Sequence, residues 1–195
     1  EPKQRYAIYS SQRTGSNYLC SRLGNVDNQL GNPMEYLNDD AIQAFGPRLF
    51  PGDGKIPGLK TYVDAVARLR TSSDGWFGTK IQPGQLFAMT GGNLDRAIKF
   101  LQSFDRLIFM TRRDKLRQAI SGAIAKASGE WLNFGKEPKL EGIETAKLFP
   151  LILKLQLQYI EEDNMIELLD ERLSEKPRLH IVYEDILRDP NEVFQ

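Results

Sequence analysis

The segment that most constrains the fold runs from Tyr6 to Cys20 and reads Tyr-Ala-Ile-Tyr-Ser-Ser-Gln-Arg-Thr-Gly-Ser-Asn-Tyr-Leu-Cys. The segment begins with apolar residues, continues with small and polar residues around Gly15, and shows the spacing of a helix from Tyr18 onward. A strand that enters a glycine turn and then a helix leaves the first N–H groups of that helix without intrahelical partners. With the positive end of the helix dipole, these groups make an anion site, most often for phosphate. Arg13 adds a positive charge beside it.

The composition limits the classes of protein that are open to the chain. Its 195 residues fit one domain, which we expect to span residues 1–195 and to lack part of the native C-terminus. Lys plus Arg and Asp plus Glu both number 26, so the net charge gives no reason to expect nucleic-acid or membrane binding. The single cysteine, Cys20, fits a buried thiol in a reducing compartment. Because the sequence shows no signal-peptide pattern and no apolar stretch of about 18 residues, we expect a cytoplasmic protein without a membrane span.

Strand and helix patterns alternate along the chain. Short apolar runs predict four strands, at residues 5–10, 76–81, 107–110 and 179–183. Helical spacing predicts five helices, at residues 16–24, 59–72, 93–101, 114–128 and 143–173, the last kinked or interrupted at Pro150. Asp189-Pro190 is expected to open a final helix, while residues 28–57 and 129–142 have no sustained period. The alternation predicts a three-layer α/β domain with a mainly parallel central sheet.

The loops after the first three strands carry the polar residues of interest. In parallel sheets, ligands bind beyond the carboxyl ends of the strands. We therefore expect the loops that follow residues 10, 81 and 110 to open at the same edge of the sheet.

The first of these loops lacks the pattern of a nucleotide-triphosphate P-loop. That pattern needs Gly, four residues and then Gly-Lys-Ser/Thr, with the lysine on the β- and γ-phosphates and the hydroxyl on Mg²⁺. Gly15 is the only glycine of the loop, Ser16 follows it, and the cation, Arg13, precedes it. The sequence therefore argues against a kinase or ATPase pattern. An alternative interpretation is that the loop only caps the first helix and binds no ligand.

A second cluster of cations follows the third strand, in Thr111-Arg-Arg-Asp-Lys-Leu-Arg-Gln-Ala-Ile-Ser121. Arginines at the carboxyl end of a buried strand could hold a second phosphate through two hydrogen bonds. Ser121 lies eight residues after Arg113, and both side chains could reach one group if Arg113 precedes the helix. The alternative is a solvated helix start with ordinary surface charges.

Together, the two segments resemble the donor-binding elements of sulfotransferases. Gln12-Arg-Thr-Gly-Ser-Asn17 is similar to the 5′-phosphosulfate loop, and Arg113 with Ser121 matches the Arg-x7-Ser element for the 3′-phosphate of PAPS (3′-phosphoadenosine 5′-phosphosulfate). Ile181-Val-Tyr-Glu-Asp185, followed by Asp189-Pro190, resembles the late strand and turn of the family. Over nearly the whole chain, the nearest resemblance is to the Stf-zero branch, the trehalose 2-sulfotransferase and lipopolysaccharide sulfotransferase type.

The resemblance implies the sulfotransferase fold, which is P-loop-like, with PAPS as donor and no metal. The 5′-phosphosulfate would be bound by five consecutive residues: Arg13, Thr14, Gly15, Ser16 and Asn17. Most family members have Thr or Ser at the position of Asn17. Arg113 and Ser121 would hold the 3′-phosphate.

The resemblance also implies a catalytic base. The cytosolic animal branch uses a histidine two residues after a strand-end lysine, but this chain reads Lys80-Ile81-Gln82, and its single histidine, His180, is expected in the core. The branch resembled uses a glutamate in a Pro-x-Glu-aromatic segment, which Asn32-Pro33-Met34-Glu35-Tyr36 matches. Lys80 would contact the transferring sulfuryl group or the bridging oxygen. From the local sequence alone, Glu35 could also be a solvated loop carboxylate, and Lys80 could be an ordinary surface lysine.

The expected reaction is the transfer of a sulfuryl group from PAPS to a hydroxyl of a carbohydrate or glycolipid. The expected catalytic residues are Glu35, Arg13 and Lys80. Trp131 and Phe134 could form a wall that stacks on a sugar, or could pack as core or lid residues. The resemblance allows a homodimer. The alternatives are a P-loop-like kinase or hydrolase, and a non-catalytic relative that binds a nucleotide or a protein.

Overall fold

The computed structural model describes residues 1–25, 29–52, 55–131 and 144–189. Within these ranges the strands are β1 (Gln4–Ser10), β2 (Trp76–Ile81), β3 (Arg106–Thr111) and β4 (Arg178–Val182). The helices of the first half are α1 (Ser16–Gly24), α2 (Asp39–Leu49), α3 (Leu59–Arg70), α4 (Pro83–Thr90) and α5 (Leu94–Leu101). Those of the second half are α6 (Lys115–Ser128), α7 (Thr145–Arg172) and α8 (Tyr183–Arg188).

The four strands form one sheet in the order β2-β1-β3-β4, and every neighbouring pair is parallel. β1 lies inside the sheet, where Ile8 is in register with Lys80 of β2 and with Ile108 of β3. Because all strands run in the same direction, their carboxyl ends lie at one edge. The predictions of a parallel sheet and of a common edge for the three loops are confirmed.

The sheet is covered on both faces, since the side chains of β1 alternate between two apolar clusters. Ala7 and Tyr9 belong to a large cluster that includes buried residues of α3, α5 and α7. Tyr6 and Ile8 belong to a smaller one with Leu19 of α1 and residues of β4 and α8. A parallel sheet buried on both faces accounts for the uninterrupted apolar runs of β1 and β3. The three-layer α/β prediction is confirmed.

Two helices occur where the sequence shows no helical period. In α2, which lies in the irregular stretch 28–57, the side chain of Asn38 accepts a hydrogen bond from the Ala41 backbone N–H at 2.7 Å. Gln82 and Gln85 form a capping box at the start of α4, directly after β2. Local capping, and not apolar spacing, marks the start of these two helices.

Three predictions about the second half need correction or refinement. His180 is not a core residue: β4 is an edge strand, the ring is exposed, and its Nε2 lies 3.2 Å from Thr111 Oγ1. The structure adds a short helix, α8, directly after β4, while the helix expected after Asp189-Pro190 lies outside the described residues. α7 continues through Pro150, so of the kink or break that the sequence predicts there, the break does not occur.

Candidate active site

The loop between β1 and α1 turns at two positions with positive φ. The φ angle is 62° at Arg13 and 76° at Gly15. Gly15 is the N-cap residue of α1, and no side chain forms a capping hydrogen bond there. Because glycine has no side chain, the N-cap residue supplies no capping acceptor to the N–H groups of the first turn, as a backbone anion site requires. A Cβ atom on Gly15 would lie 2.6 Å from Cδ2 of Tyr183, so the position also needs a residue without a side chain.

Buried hydrogen bonds on the interior side of this loop fix its conformation. Gln118 of α6 donates through Nε2 to Ser11 Oγ at 3.0 Å and to the Gln12 carbonyl at 2.6 Å. Thr14 donates through Oγ1 to the Ser11 carbonyl at 3.0 Å. Ser11, Thr14 and Gln118 are fully buried, so water does not compete for these bonds. The loop is thus preformed by contacts within the protein.

The Arg13 side chain extends from the loop to α6 and to the chain after it. Its Nε donates to Ser121 Oγ at 2.9 Å, and its Nη1 donates to the Trp131 carbonyl at 2.7 Å. Burial lowers the pKa of Arg13 from its ordinary value, and the neighbouring guanidinium of Arg112 acts in the same direction. An arginine stays charged despite such a shift. The structure therefore joins Arg13 to Ser121, two residues that the sequence assigns to different phosphates.

Arg113 lies just before α6 and faces α8. Its Nη2 donates to both carboxylate oxygens of Asp185, at 2.8 and 3.0 Å, and its backbone N–H donates to Glu184 at 3.0 Å. The Arg113 side chain is 60% exposed. Among the described contacts, Arg113 is paired with Asp185, and no hydrogen bond joins it to Ser121.

The segment that carries Glu35 is held against the edge of β2. Met34 forms an isolated parallel bridge with Thr79, and its carbonyl accepts a hydrogen bond from the Lys80 backbone N–H at 2.9 Å. Tyr36 is buried and stacks on Phe77, with 5.9 Å between the ring centroids. These contacts fix the backbone on both sides of Glu35 and place its side chain near the carboxyl end of β2.

Glu35 and Lys80 form an ion pair beside the loop. Lys80 Nζ lies 2.5 Å from Glu35 Oε1, and it also donates a hydrogen bond to Asn17 Oδ1 in the first turn of α1. The Lys80 side chain is 4% exposed and that of Glu35 is 21% exposed, so the pair is reached from solvent on the glutamate side. The structure thus brings Glu35, Lys80 and Asn17 together at the predicted edge.

A chain of glutamines leads from the loop to the other oxygen of Glu35. Gln12 Nε2 donates to Gln82 Oε1 at 2.9 Å, and the Gln82 backbone N–H donates to Gln85 Oε1 at 3.0 Å. Gln85 Nε2 then donates to Glu35 Oε2 at 2.9 Å. The carboxylate is therefore held from two sides, by Lys80 and by Gln85.

Sequence reasoning did not single out Gln82, Gln85 or Gln118. The first two had a readable signal, because Gln82 and Gln85 stand three residues apart around Pro83, which is the spacing of a capping box with proline at the first helical position. Gln118 had none: its partner Ser11 lies 107 residues away, and only the fold brings them together.

The predicted aromatic wall is described only in part. Trp131 is 41% exposed, and its backbone carbonyl is the acceptor for Arg13. Phe134 lies outside the described residues. A role for either ring in sugar binding stays a prediction.

Two other kinds of site, a metal centre and a membrane-spanning helix, do not occur in the described ranges. In those ranges, no group of three or more His, Cys, Asp and Glu side chains is arranged to hold a metal ion. The same ranges contain no helix with the length and apolar character of a membrane span. Cys20 is buried, as predicted, and burial raises the pKa of its thiol to about 12, which makes it a poor nucleophile.

The fold of the chain is similar to that of a sulfotransferase domain. The chain is similar to a solved structure described as "Sulfotransferase Domain from the Curacin Biosynthetic Pathway", with 14% sequence identity and a TM-score of 0.54. The alignment covers 100% of this chain and 71% of that chain. The similarity shows the sulfotransferase fold. A search of the curated proteins found no match.

A comparison with protein-family models identifies the family within this class. The model described as Stf0 sulphotransferase matches residues 5–146, which is more than half of the chain. The chain therefore belongs to the Stf0 sulphotransferase family, as the sequence motifs predict. Family and fold together indicate a transferase that moves sulfuryl groups. The matched range contains the loop, Glu35, Lys80, Arg113 and Ser121.

Proposed function

We propose that this enzyme transfers a sulfuryl group from PAPS to a hydroxyl of a carbohydrate or glycolipid, with Glu35 as general base. The observation that carries the proposal is the position of the Glu35 carboxylate. It lies 2.5 Å from Lys80 Nζ, and Lys80 in turn contacts Asn17 in the first turn of α1. A base and a cation therefore lie beside the anion loop, where an acceptor hydroxyl and a leaving phosphate would meet.

The loop supports a phosphosulfate as the group that is bound. The start of α1 offers backbone N–H groups and the positive end of the helix dipole, while Arg13 supplies a guanidinium. The 3′-phosphate of the donor is assigned to Arg113 and Ser121. To bind it, Arg113 exchanges the Asp185 carboxylate for the phosphate, and its 60% exposure leaves it accessible for that exchange.

The reaction requires one proton transfer and one exchange of bonds at sulfur. The acceptor oxygen bonds to sulfur, the bond from sulfur to the 5′-phosphate oxygen breaks, and that oxygen leaves with the electron pair on PAP (3′-phosphoadenosine 5′-phosphate). Glu35 takes the hydroxyl proton. If Lys80 turns from Glu35 to the leaving oxygen, it balances the charge that develops there and frees the carboxylate for the proton.

The acceptor class, a homodimer and a cytoplasmic location belong to this proposal as predictions. The acceptor class rests on the family resemblance. The Glu35 segment supports an acceptor site on its own side of the loop, because Met34, next to the base, is 47% exposed.

The proposal is tested with Glu35→Gln. We expect this variant to bind PAP as the native chain does and to lose at least about 100-fold in kcat, because the amide cannot accept the proton. The assay follows labelled sulfuryl transfer from PAPS to a panel of sugars and glycolipids, with PAP binding measured by calorimetry. Glu175→Gln removes an exposed carboxylate away from the site and is the matched control.

Two results would contradict the proposal. Full activity of Glu35→Gln would remove Glu35 as base. Absence of transfer from PAPS by the native chain to every acceptor in the panel would contradict the proposed donor and acceptor class.

A further inference from the structure

We infer that Gln85 is a positioning residue for Glu35, and that it couples the orientation of this carboxylate to the donor-binding loop. The inference rests on the proposed function, because it concerns the base assigned there. Gln85 lies on α4, outside the loop and outside the Pro-x-Glu segment. Its role follows from how its amide group is held.

The amide of Gln85 can adopt only one of its two orientations. Its Oε1 accepts a hydrogen bond from the Gln82 backbone N–H at 3.0 Å, as part of the capping box of α4. Only the carbonyl end of an amide can accept from an N–H group. Nε2 must therefore point the other way, where it donates to Glu35 Oε2 at 2.9 Å. Reversing the amide would break both bonds. It would place Nε2 against the Gln82 N–H, which is also a donor, and Oε1 against the Glu35 carboxylate, which is also an acceptor.

The two oxygens of Glu35 have partners of different kinds. Oε1 is paired with the Lys80 ammonium group, and Oε2 accepts from the neutral Gln85 amide. When Lys80 turns to the leaving oxygen, the contact with Gln85 persists, because the α4 cap does not depend on Lys80. Glu35 then keeps its orientation, while Oε1 is free to accept the proton. A neutral donor orients the carboxylate with less loss of basicity than a cation would cause.

The same contacts tie Glu35 to both ends of the donor-binding loop. Gln82 Oε1 accepts from Gln12 Nε2 at 2.9 Å, at the start of the loop. At the other end, Lys80 donates to Asn17. A continuous series of contacts therefore runs from one end of the loop to the other through Gln12, Gln82, Gln85, Glu35, Lys80 and Asn17. A donor bound at Asn17 therefore acts on the base through Lys80, while the contact with Gln85 keeps the carboxylate in place.

The substitution Gln85→Glu separates capping from positioning. Glutamate is common at this position of a capping box and keeps the acceptor for the Gln82 N–H. It cannot donate to Glu35, and it places a second carboxylate beside it, which raises the pKa of the base. We expect unchanged PAP affinity, a smaller fall in Tm than for Gln85→Ala, a loss of about tenfold in kcat from the missing hydrogen bond to a charged group, and an acid limb of the kcat–pH profile at higher pH.

Two further variants complete the experiment. Gln102→Glu makes the same change of charge at an exposed position after α5, and should leave kcat and its pH profile as in the native chain. In the Glu35→Gln background, Gln85→Glu should have no further effect on the residual kcat, because the base that it positions is gone.

The outcomes separate this inference from the proposed function. If Glu35→Gln is inactive while Gln85→Glu keeps native kcat and pH profile, the inference is overturned and the proposed function stands. If Glu35→Gln is fully active, the proposed base falls, and the inference with it. A fall in Tm for Gln85→Glu as large as that for Gln85→Ala would overturn the capping argument on which the inference depends.

Discussion

At the scale of one residue, the side chain of Arg113 has a different partner in the structure from the one that the sequence predicts. The sequence assigns its guanidinium to a 3′-phosphate, while the structure pairs it with the Asp185 carboxylate through two hydrogen bonds. A carboxylate and a phosphate present similar oxygen acceptors to a planar guanidinium. Asp185 therefore holds Arg113 in an orientation that a phosphate can take over.

We expect Arg113→Ala to weaken PAP binding by about 10- to 100-fold and to leave AMP binding nearly unchanged. The size corresponds to the loss of hydrogen bonds to a charged group, about 1.5–3 kcal/mol. AMP is unaffected because it has no 3′-phosphate. Dissociation constants for both nucleotides, measured by calorimetry, test the expectation.

Arg117→Ala is the control for this experiment. Arg117 lies in the first turn of α6, four residues after Arg113, its side chain is 79% exposed, and it pairs with Asp114. Its removal should change neither dissociation constant. Equal losses of PAP and AMP affinity in Arg113→Ala would show that Arg113 does not read the 3′-phosphate.

At the scale of elements, the loop between β1 and α1 depends on contacts from α6 and α8. On the interior side, Gln118 of α6 donates hydrogen bonds to Ser11 and to the Gln12 carbonyl. On the other side, the Tyr183 ring at the start of α8 lies against Gly15, and the Arg112 guanidinium lies 4.5 Å from the centre of that ring. Arg112 also donates to the Arg13 carbonyl at 3.1 Å. The loop conformation is therefore set by elements far apart in the sequence.

Gly15→Ala should destabilise the protein for two separate reasons. An alanine at φ 76° costs about 1–2 kcal/mol in backbone strain, and its Cβ would lie 2.6 Å from the Tyr183 ring. For a chain of this size, each 1 kcal/mol lowers Tm by about 2–4 °C. Adding Tyr183→Ala removes the clash but not the strain, so it should relieve only part of the effect of Gly15→Ala. Thermal unfolding of single and double variants measures both parts.

Gly84→Ala is the matched control, because a Cβ on Gly84 meets no atom within 4 Å and the residue lies inside α4. We expect it to be neutral or slightly stabilising, since alanine favours a helix over glycine. A Tm for Gly15→Ala equal to that of Gly84→Ala would contradict the close packing of the loop against α8.

The elements that sequence predicts and those that it misses have different physical origins. β1, β3 and α6 follow from apolar runs and helical spacing, which report burial directly. α2 and α4 start from side-chain caps at Asn38 and Gln82, so their signal is a pair of polar residues and not a period. The error at His180 has a third origin, because an apolar run does not reveal that its strand is at the edge of the sheet.

At the scale of the whole molecule, the predicted site residues do come to one edge, but their partners could not be derived from the sequence. Parallel strands are enough to bring the ends of β1, β2 and β3 together. Whether Ser121 meets Arg13 or Arg113 depends on side-chain directions across three elements. The burial of Lys115 with Asp163 of α7, beneath the same loop, likewise depends on how α6 packs on α7.

α7 also carries a carboxylate whose surroundings favour the protonated form. Glu162 accepts a hydrogen bond from Gln158 Nε2 at 2.7 Å through Oε1, while its buried Oε2 has no partner among the described residues. Burial raises the pKa of Glu162 above its ordinary value, and the charge of Asp163 adds to the rise, against the hydrogen bond from Gln158. The folded chain therefore binds a proton at Glu162 more readily than the unfolded chain does.

The raised pKa of Glu162 makes the free energy of unfolding depend on pH. As the pH falls from neutral through the raised pKa, the folded state takes up the proton first, so this group increases the free energy of unfolding. The increase levels off below the ordinary pKa of glutamate, about 4.3. Conversely, the ionised Glu162 lowers the stability at neutral pH.

Glu162→Gln removes this titration while it keeps the shape of the side chain. We expect the variant to be more stable than the native chain by about 1 kcal/mol at neutral pH, because it no longer buries a charged carboxylate. Its advantage should shrink as the pH is lowered, because the native glutamate then becomes neutral as well. Urea unfolding between about pH 5 and pH 8 measures both effects.

The exposed residue Glu171, near the end of the same helix, gives the control Glu171→Gln, which should follow the native chain at every pH. If Glu162→Gln is less stable than the native chain at neutral pH, with the same dependence on pH, the carboxylate is stabilised in its charged form. The charges of Lys115 and Lys126 would then outweigh the effect of burial on Glu162.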